Sequence, residues 1–225
     1  MSRATPSAGS SRREPLSRPR VVGAAVGIAD ESGLTGVTMR AVAAVLSVEA
    51  MSLYNYVTGR DDLLDGMVDA VFAEIALPDP NLSWREAIRG RAVSAHEALR
   101  RHPWAIGLLD SRRRSGPATY RHHDAVLSTL RAAGFTVAMA VHAVSAIDSY
   151  VYGYALQERS LPVGEAESLQ DLARSVLEDL STGEYPHLAE VAAARAASSE
   201  EELDDEFRFG LDLILDGLDL LSRTV

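Results

Sequence analysis

From residue 17 onward the chain alternates between stretches with apolar positions three and four apart and short breaks rich in glycine, proline and serine. That spacing lines apolar side chains along one face of an α-helix, and the strict alternation that a half-buried strand needs is absent. Val22, Ala25, Val26 and Ala29 follow the helical period, with Ser17 as N-cap, Pro19 tolerated in the first turn and Gly33 as a stop. Thr38 caps a second helix that carries Met39, Val42, Ala43 and Leu46. After the tight break "LSV", a third and very short helix runs from about Glu49 to Tyr56. "TGRDD" opens a fourth, with acids in the first turn where they complement the helix dipole. Its apolar positions are Leu64, Met67, Val68, Val71 and Ile75. Beyond the proline-marked "LPDPNLS", helices are expected near 83–101, 103–113, 117–133, 136–159, 165–181 and 200–222, with a short one within 182–199. The expected fold class is all-α, and no internal repeat is present.

Two short helices joined by a tight turn make a helix-turn-helix arrangement. Val48, Leu53 and Val57 suit its inner face. The outward residues are then Glu49, Ala50, Met51, Ser52, Tyr54, Asn55 and Tyr56. Serine, asparagine and tyrosine tips contact phosphates and bases, and alanine or methionine can touch a thymine methyl. The pattern alone fits an ordinary helical hairpin equally well, with the tyrosines as half-buried packing residues whose hydroxyls stay wet.

Charge changes this picture more than composition does. The net charge is −10, yet residues 1–60 hold seven arginines against four acids and the remainder is strongly acidic. Every basic side chain is an arginine, the group suited to phosphates and guanine edges. Residues 1–16 carry no periodicity and read as a disordered basic arm. No cysteine is present, which removes disulfides and thiolate chemistry. No apolar run reaches the roughly 18 residues of a membrane span, and a signal-peptide core is lacking, so a cytoplasmic location is expected and no membrane partner.

Signs of catalysis are few. There is no G-x-S-x-G elbow and no P-loop. A di-metal bundle needs paired Glu-x-x-His motifs, and only Glu184 to His187 fits, interrupted by proline and without a twin. His122 and His123 point in divergent directions on one helix, so they form no chelate with Asp124. Asp212, Asp216 and Asp219 read as a solvated face rather than a metal cluster. No enzyme activity, metal or cofactor is expected.

"VTMRAVAAVLSVEAMSLYNYVTGRDDLLDGMVD" resembles the DNA-binding segment of TetR-family transcriptional regulators. The matching residues are Thr38, Arg40, Val42, Ala43, Leu46, Val48, Leu53, Tyr54, Tyr56, Val57, Arg60, Leu63 and Leu64, without a gap over 27 positions. Ser47 departs from the glycine usual at that turn. The resemblance implies that Thr38 offers a hydroxyl or amide to a phosphate and that Arg40 reaches a base edge or phosphate. It implies that Ala50, Met51, Ser52 and Asn55 face the bases while Tyr54, Tyr56 and Arg60 hold phosphates. Arg12, Arg13, Arg18 and Arg20 would extend along the backbone or into the minor groove. Glu49 either accepts from a cytosine amino group or caps its own helix, and the cap is the favoured role.

Residues 83–225 resemble the C-terminal domain of the tetracycline-repressor-like branch, through "SWREAIRGRA", "RHPW", "LRAAGF", "AVSAIDSYVYGYALQE" and "FRFGLDLILDGL". The implied organisation is an arm (1–16), a helix-turn-helix domain (17–60) and a helical effector-binding and dimerisation domain (61–225). Positions that hold tetracycline with magnesium in the family fall on Leu109, Gln157 and Ala76 here, so the small-molecule effector is not expected to be that complex. Trp104, His122, Asp148, Tyr152 and Gln157 are the candidate pocket residues; His96 and His142 read as satisfied core histidines. Phe207, Leu211, Ile214, Leu218 and Leu221 keep a heptad spacing beside Gly210 and Gly217. That stripe can pack against the chain's own core. Paired with Ala143, Ile147, Tyr150 and Tyr154 it would build a two-fold four-helix bundle, the homodimer the family implies. The expected function is a dimeric, ligand-responsive repressor released from a pseudo-palindromic, double-stranded DNA operator by a small molecule. The alternative is a DNA-binding regulator or architectural protein with no effector.

Overall fold

The computed structural model describes residues 15–109, 115–160, 169–179, 184–197 and 200–222. Residues 1–14 of the basic arm, with Arg12 and Arg13, lie outside the described residues, as do the expected helix ends at 110–113 and 165–168. The described residues form only helices: α1 (Arg18–Gly36), α2 (Met39–Leu46), α3 (Ala50–Leu53), α4 (Arg60–Glu74), α5 (Trp84–Arg101), a 3-10 turn (Pro103–Ala105), α6 (Ile106–Leu109), α7 (Pro117–Ala132), α8 (Val137–Ser160), α9 (Leu169–Asp179), α10 (Pro186–Ala197) and α11 (Glu200–Ser222). The chain divides into two compact units, Met1–Met67 and Val68–Val225, with the division inside α4.

In the smaller unit the local chemistry sets the turns. α1 starts after Ser17 with Pro19 in its first turn, and Gly33 leaves helical geometry at φ 70°. The Thr38 hydroxyl accepts the Ala41 amide at 3.1 Å and so caps α2. Ser47 then adopts the left-handed region at φ 54°, ψ 47°. Its amide donates to Ala44, and the Val48 amide donates back to Ala43, both close to 3 Å. These two bonds form a Schellman motif, which closes the end of α2 and reverses the chain. A serine in this conformation costs roughly 1 kcal/mol, which the two bonds offset. α3 is shorter than its sequence pattern suggests, because the bonds from Tyr54, Asn55 and Tyr56 to the third residue back tighten the segment after Leu53. Glu49 stands at the N-cap of α3 without a side-chain cap bond, so the capping role expected for it is not observed. Val21, Val22, Ala25, Val42, Leu53, Val57, Leu63 and Met67 fill this unit's core.

Arg18 ties the unit together. Its guanidinium donates to both carboxylate oxygens of Asp62, at 2.9 and 2.6 Å, and to the Tyr56 carbonyl at 2.9 Å. Asp62 also accepts the Thr58 amide at 2.8 Å. The Arg18 bonds, with help from Thr58, hold the Asp62 carboxyl down at about 2, against the opposing effect of burial. Arg18 is thus engaged by Asp62 and Tyr56 within its own unit.

The larger unit is built on α5, which packs against α7, α8 and α11. Ser83 and Glu86 start α5 with a capping box. α7 begins with Gly116 and Pro117, and its cap comes from another helix: Asp69 of α4 accepts the Thr119 amide at 2.8 Å and the Thr119 hydroxyl at 3.0 Å. A Cβ on Gly116 would stand 2.2 Å from the Asp69 carboxyl carbon, so any side chain there would push the capping carboxylate aside.

α8 and α11 correct the expected interface. Ile147, Phe207 and Leu211 are buried inside the unit, together with Ala143, Val151 and Leu215. The Tyr150 hydroxyl donates to the Phe207 carbonyl at 3.0 Å, and the Tyr154 ring packs edge-on to Phe207. Gly210 makes room for the Tyr150 hydroxyl of the same chain, while Gly217 has nothing within 4 Å. Ile214 and Leu218 are half-buried and Leu221 is exposed. The apolar residues of α11 that face outward are Phe209, Leu213, Leu220 and Leu221. Asp212 and Asp216 pair with α5, through Arg89 at 2.8 Å and Arg85 at 2.7 Å. Two of the three aspartates expected on a solvated face thus hold α11 to α5.

Asp69→Ala removes the cap of α7 and is expected to lower the stability of the protein by about 1–2 kcal/mol. Gly116→Ala should cost at least as much, because the added carbon displaces the same carboxylate. Thermal unfolding of both variants beside the parent protein checks the effect.

Candidate DNA-reading face and buried polar cluster

The Schellman turn at Ser47 and the short α3 present one face of the smaller unit. Leu53 and Val57 are fully buried beneath it. Above them Met51 is 76% exposed and Tyr54 is 48% exposed. Thr38, Arg40, Asn55 and Arg60 are exposed, and Ala50, Ser52 and Tyr56 are half-buried. The Thr38 oxygen is occupied as an acceptor, which leaves its hydroxyl proton for an outside acceptor such as a phosphate oxygen. Arg60 makes one long bond, 3.4 Å to the Leu34 carbonyl. An exposed methionine flanked by hydroxyl, amide and guanidinium tips suits the edge of a base-pair stack, where thymine methyls and phosphates alternate.

In the larger unit the structure brings together two of the five expected pocket residues and adds a third that the sequence reading missed. His122 of α7 is fully buried, Asp148 of α8 is 9% exposed, and between them lies Arg91 of α5, 2% exposed. Arg91 donates from Nε to His122 Nε2 at 2.7 Å and from Nη1 to Asp148 Oδ1 at 2.5 Å. Arginine only donates, so His122 Nε2 must be the acceptor and Nδ1 must carry the ring proton. Nδ1 of His122 and Nη2 of Arg91 are both buried without a partner. Burial, reinforced by the Arg91 and His123 charges, pushes the His122 imidazole down to about 3. Burial also lowers His123. Phe72 sets its ring edge-on to His122, with centroids 5.4 Å apart.

The other expected pocket residues scatter. Trp104 packs edge-on to the His102 ring, Tyr152 is half-buried and Gln157 is exposed. His96 is a satisfied core histidine: it stacks on Phe207 at 4.0 Å and bonds Glu158 at 2.6 Å. His142 is exposed on α8, contrary to the core role expected for it. Arg91 left a trace in the sequence. It stands three after Ile88 and four before Ala95, at a position of α5 where the helical period demands an apolar side chain. Among the described residues no group of His, Asp and Glu is arranged to hold a metal ion. No helix among them is long and apolar enough to cross a membrane.

Comparison with known proteins places this geometry. Residues 77–221 match the family model described as "Tetracyclin repressor-like, C-terminal domain". The HTH-type transcriptional repressor DrrR1 of Streptomyces coeruleorubidus is 37% identical over 218 residues, which cover 92% of this chain and 78% of that protein. The crystal structure of the Streptomyces coelicolor TetR family protein ActR in complex with actinorhodin superposes with a TM-score of 0.75 at 28% identity, covering 93% of this chain and 99% of ActR. BioQ, crystallised with its natural double-stranded DNA operator, superposes with a TM-score of 0.62 at 25% identity over 91% of this chain and 98% of BioQ.

The neutral His122 makes the larger unit acid-sensitive. Unfolded, the imidazole takes a proton below about 6.5; folded, it stays neutral down to about 3. Between these values the unfolded chain binds the extra proton, so stability falls as pH falls. From neutral pH to about pH 5 the loss is expected to approach 2 kcal/mol. His122→Gln, which cannot be protonated, should flatten most of that slope, as read by unfolding temperature at the two pH values.

Proposed function

This chain belongs to the TetR family of transcriptional regulators, and from that premise we propose that it is a dimeric repressor that leaves its DNA site when a small molecule occupies the larger unit. The observation that carries the DNA half of the reading is the face above Leu53 and Val57. Met51 stands exposed on a four-residue helix, and Tyr54 and Asn55 in the turn that follows it, above Leu53 and Val57, which are fully buried. In our reading Ala50, Met51, Ser52 and Asn55 meet base edges, while Thr38, Tyr54, Tyr56 and Arg60 hold phosphates and Arg40 serves either role. A relative whose name is HTH-type transcriptional repressor supports the sign of regulation, and BioQ with its operator supports the partner.

The effector half rests on the buried cluster. A core without a ligand role has little reason to leave two donors unmet, since each such group costs roughly 1–3 kcal/mol. ActR, crystallised with actinorhodin, supports a small molecule as the input. On this reading the cluster binds and does not catalyse. A ligand changes DNA affinity only as far as it prefers one conformation over the other. Dimerisation is assigned to the outward faces of α8 and α11. Val137, Val141 and Leu156 are exposed on α8, and Phe209, Leu213 and Leu220 on α11.

Fluorescence anisotropy on DNA from upstream of the protein's own gene, followed by selection from random sequence, tests the regulator reading. Tight binding to one pseudo-palindrome with a steep salt dependence is expected. Arg40→Ala should weaken it roughly 10- to 100-fold and Tyr54→Phe roughly fivefold. Absence of any sequence-selective binding would overturn the assignment. The interface is tested separately by sedimentation velocity: Leu213→Glu with Leu220→Glu should shift a dimer to monomer at micromolar concentration, and an unchanged mass would remove α11 from the interface.

A further inference from the structure

We propose that Met51 reads the C5-methyl group of a pyrimidine in the major groove: it selects thymine at one position of each half-site, accepts 5-methylcytosine there, and discriminates against cytosine and the purines. The proposal rests on the DNA-binding reading above and names the chemical group that this part of the face recognises.

Met51 is 76% exposed, more than any other large apolar side chain among the described residues. Its direction follows from the helix it stands on. Successive residues turn about 100° around a helix axis, so Met51 lies about 200° from Leu53. Leu53 is 0% exposed, and Met51 therefore points away from the core of its unit. The backbone beneath it is held. The Met51 carbonyl accepts the Tyr54 amide at 3.3 Å, and the Glu49 carbonyl accepts the Ser52 amide at 2.9 Å. Tyr54 and Asn55 follow it with exposed side chains, and Thr38, Arg40 and Arg60 of the same unit are exposed too. Those groups suit phosphates and polar base edges; a thioether chain suits neither, and it gains nothing from water.

The chemistry of the groove narrows the partner of Met51. Guanine shows two acceptors there, adenine an acceptor and a donor, and cytosine a donor. Thymine adds a methyl group to its O4 acceptor, and no other standard base presents an apolar group. A thioether donates no hydrogen bond and accepts only weakly. Seated against a purine N7 or a cytosine amino group, it would strip water from a polar atom and return no comparable bond. Against a methyl group it buries apolar surface on both sides, and its unbranched chain adapts to where that methyl lies. The methyl is the recognised group, so a methylated cytosine presents the same contact. Burial of one methyl corresponds to about a fourfold gain in affinity in each half-site, and about 15-fold when both half-sites contribute.

The test begins with selection of the operator from random sequence by the full-length protein. Each thymine of that operator is then replaced by deoxyuridine, which removes the methyl and leaves every hydrogen-bonding group in place. Binding is read by fluorescence anisotropy for the parent protein and for Met51→Ala, a change at an exposed position that keeps a good helix former. In the parent, deoxyuridine at one position of each half-site is expected to cost about fourfold, and about 15-fold at both together. In Met51→Ala the same replacements should cost less than about twofold. Deoxyuridine also changes the shape of the duplex, and that effect falls on both proteins alike. At the same position dC should bind more weakly than thymine, and 5-methyl-dC should recover about fourfold per half-site relative to dC in the parent only.

The proposal is overturned if no thymine methyl matters more to the parent than to Met51→Ala, or if 5-methyl-dC binds the parent no better than dC. In either case the selected operator leaves the regulator reading intact. A parent protein that selects no sequence defeats the regulator reading, and this proposal with it.

Discussion

An arginine placed where a helix needs an apolar side chain has to be answered from the neighbouring helices. Arg91 lies on the inner face of α5, between Ile88 and Ala95, and a guanidinium that deep cannot lose its proton. Asp148 of α8 supplies the counter-charge, and His122 of α7 supplies a neutral acceptor. One buried cation thereby fixes the facing residues of α5, α7 and α8 and dictates the histidine tautomer. As a source of stability such an arrangement is poor, because a well-packed apolar trio would hold the same helices at least as firmly. It also leaves two buried donors, Arg91 Nη2 and His122 Nδ1, without a partner.

The smaller unit solves a different problem, how to hold a four-residue helix that cannot persist alone. The Schellman turn at Ser47 and the Arg18–Asp62 bridge do this from either side. The first ends α2 with the Ala43 and Ala44 carbonyls bonded; the second joins the start of α1 to α4 and to the Tyr56 carbonyl at the end of the turn after α3. With the backbone held in this way, Leu53 and Val57 are enough to anchor the segment from below. The Met51, Tyr54 and Asn55 side chains are then left exposed above that anchor.

α8 and α11 are apolar on more than one face, and this is where periodicity misleads. The heptad through Phe207, Leu211, Ile214, Leu218 and Leu221 is present, yet its first two members are buried in the chain's own core and its last is exposed. The stripe winds around the helix from the inner face to the outer. Gly210 shows the same ambiguity: its missing side chain does admit a close neighbour, but that neighbour is Tyr150 of the same chain. Asp212 and Asp216, which look like a solvated face, meet Arg89 and Arg85.

Most helix positions were legible from the sequence because their causes are local. Caps at Thr38 and Ser83, the acids at the start of α4, the proline that opens α7 and the period of apolar residues act within a turn or two of where they stand. The turn and short helix between α2 and α4 were legible for the same reason, since Thr38 to Leu64 fold as one short, contiguous piece. His122 and Asp148 were nominated as pocket residues, but nothing in the chain joined them, because the atom between them is 31 residues from one and 57 from the other. Arg91 itself broke the rule by which a sequence is read, that a charge marks the outside of a helix. Periodicity states which residues share a face; which neighbour that face meets depends on contacts between distant segments, and only the tertiary structure decides it.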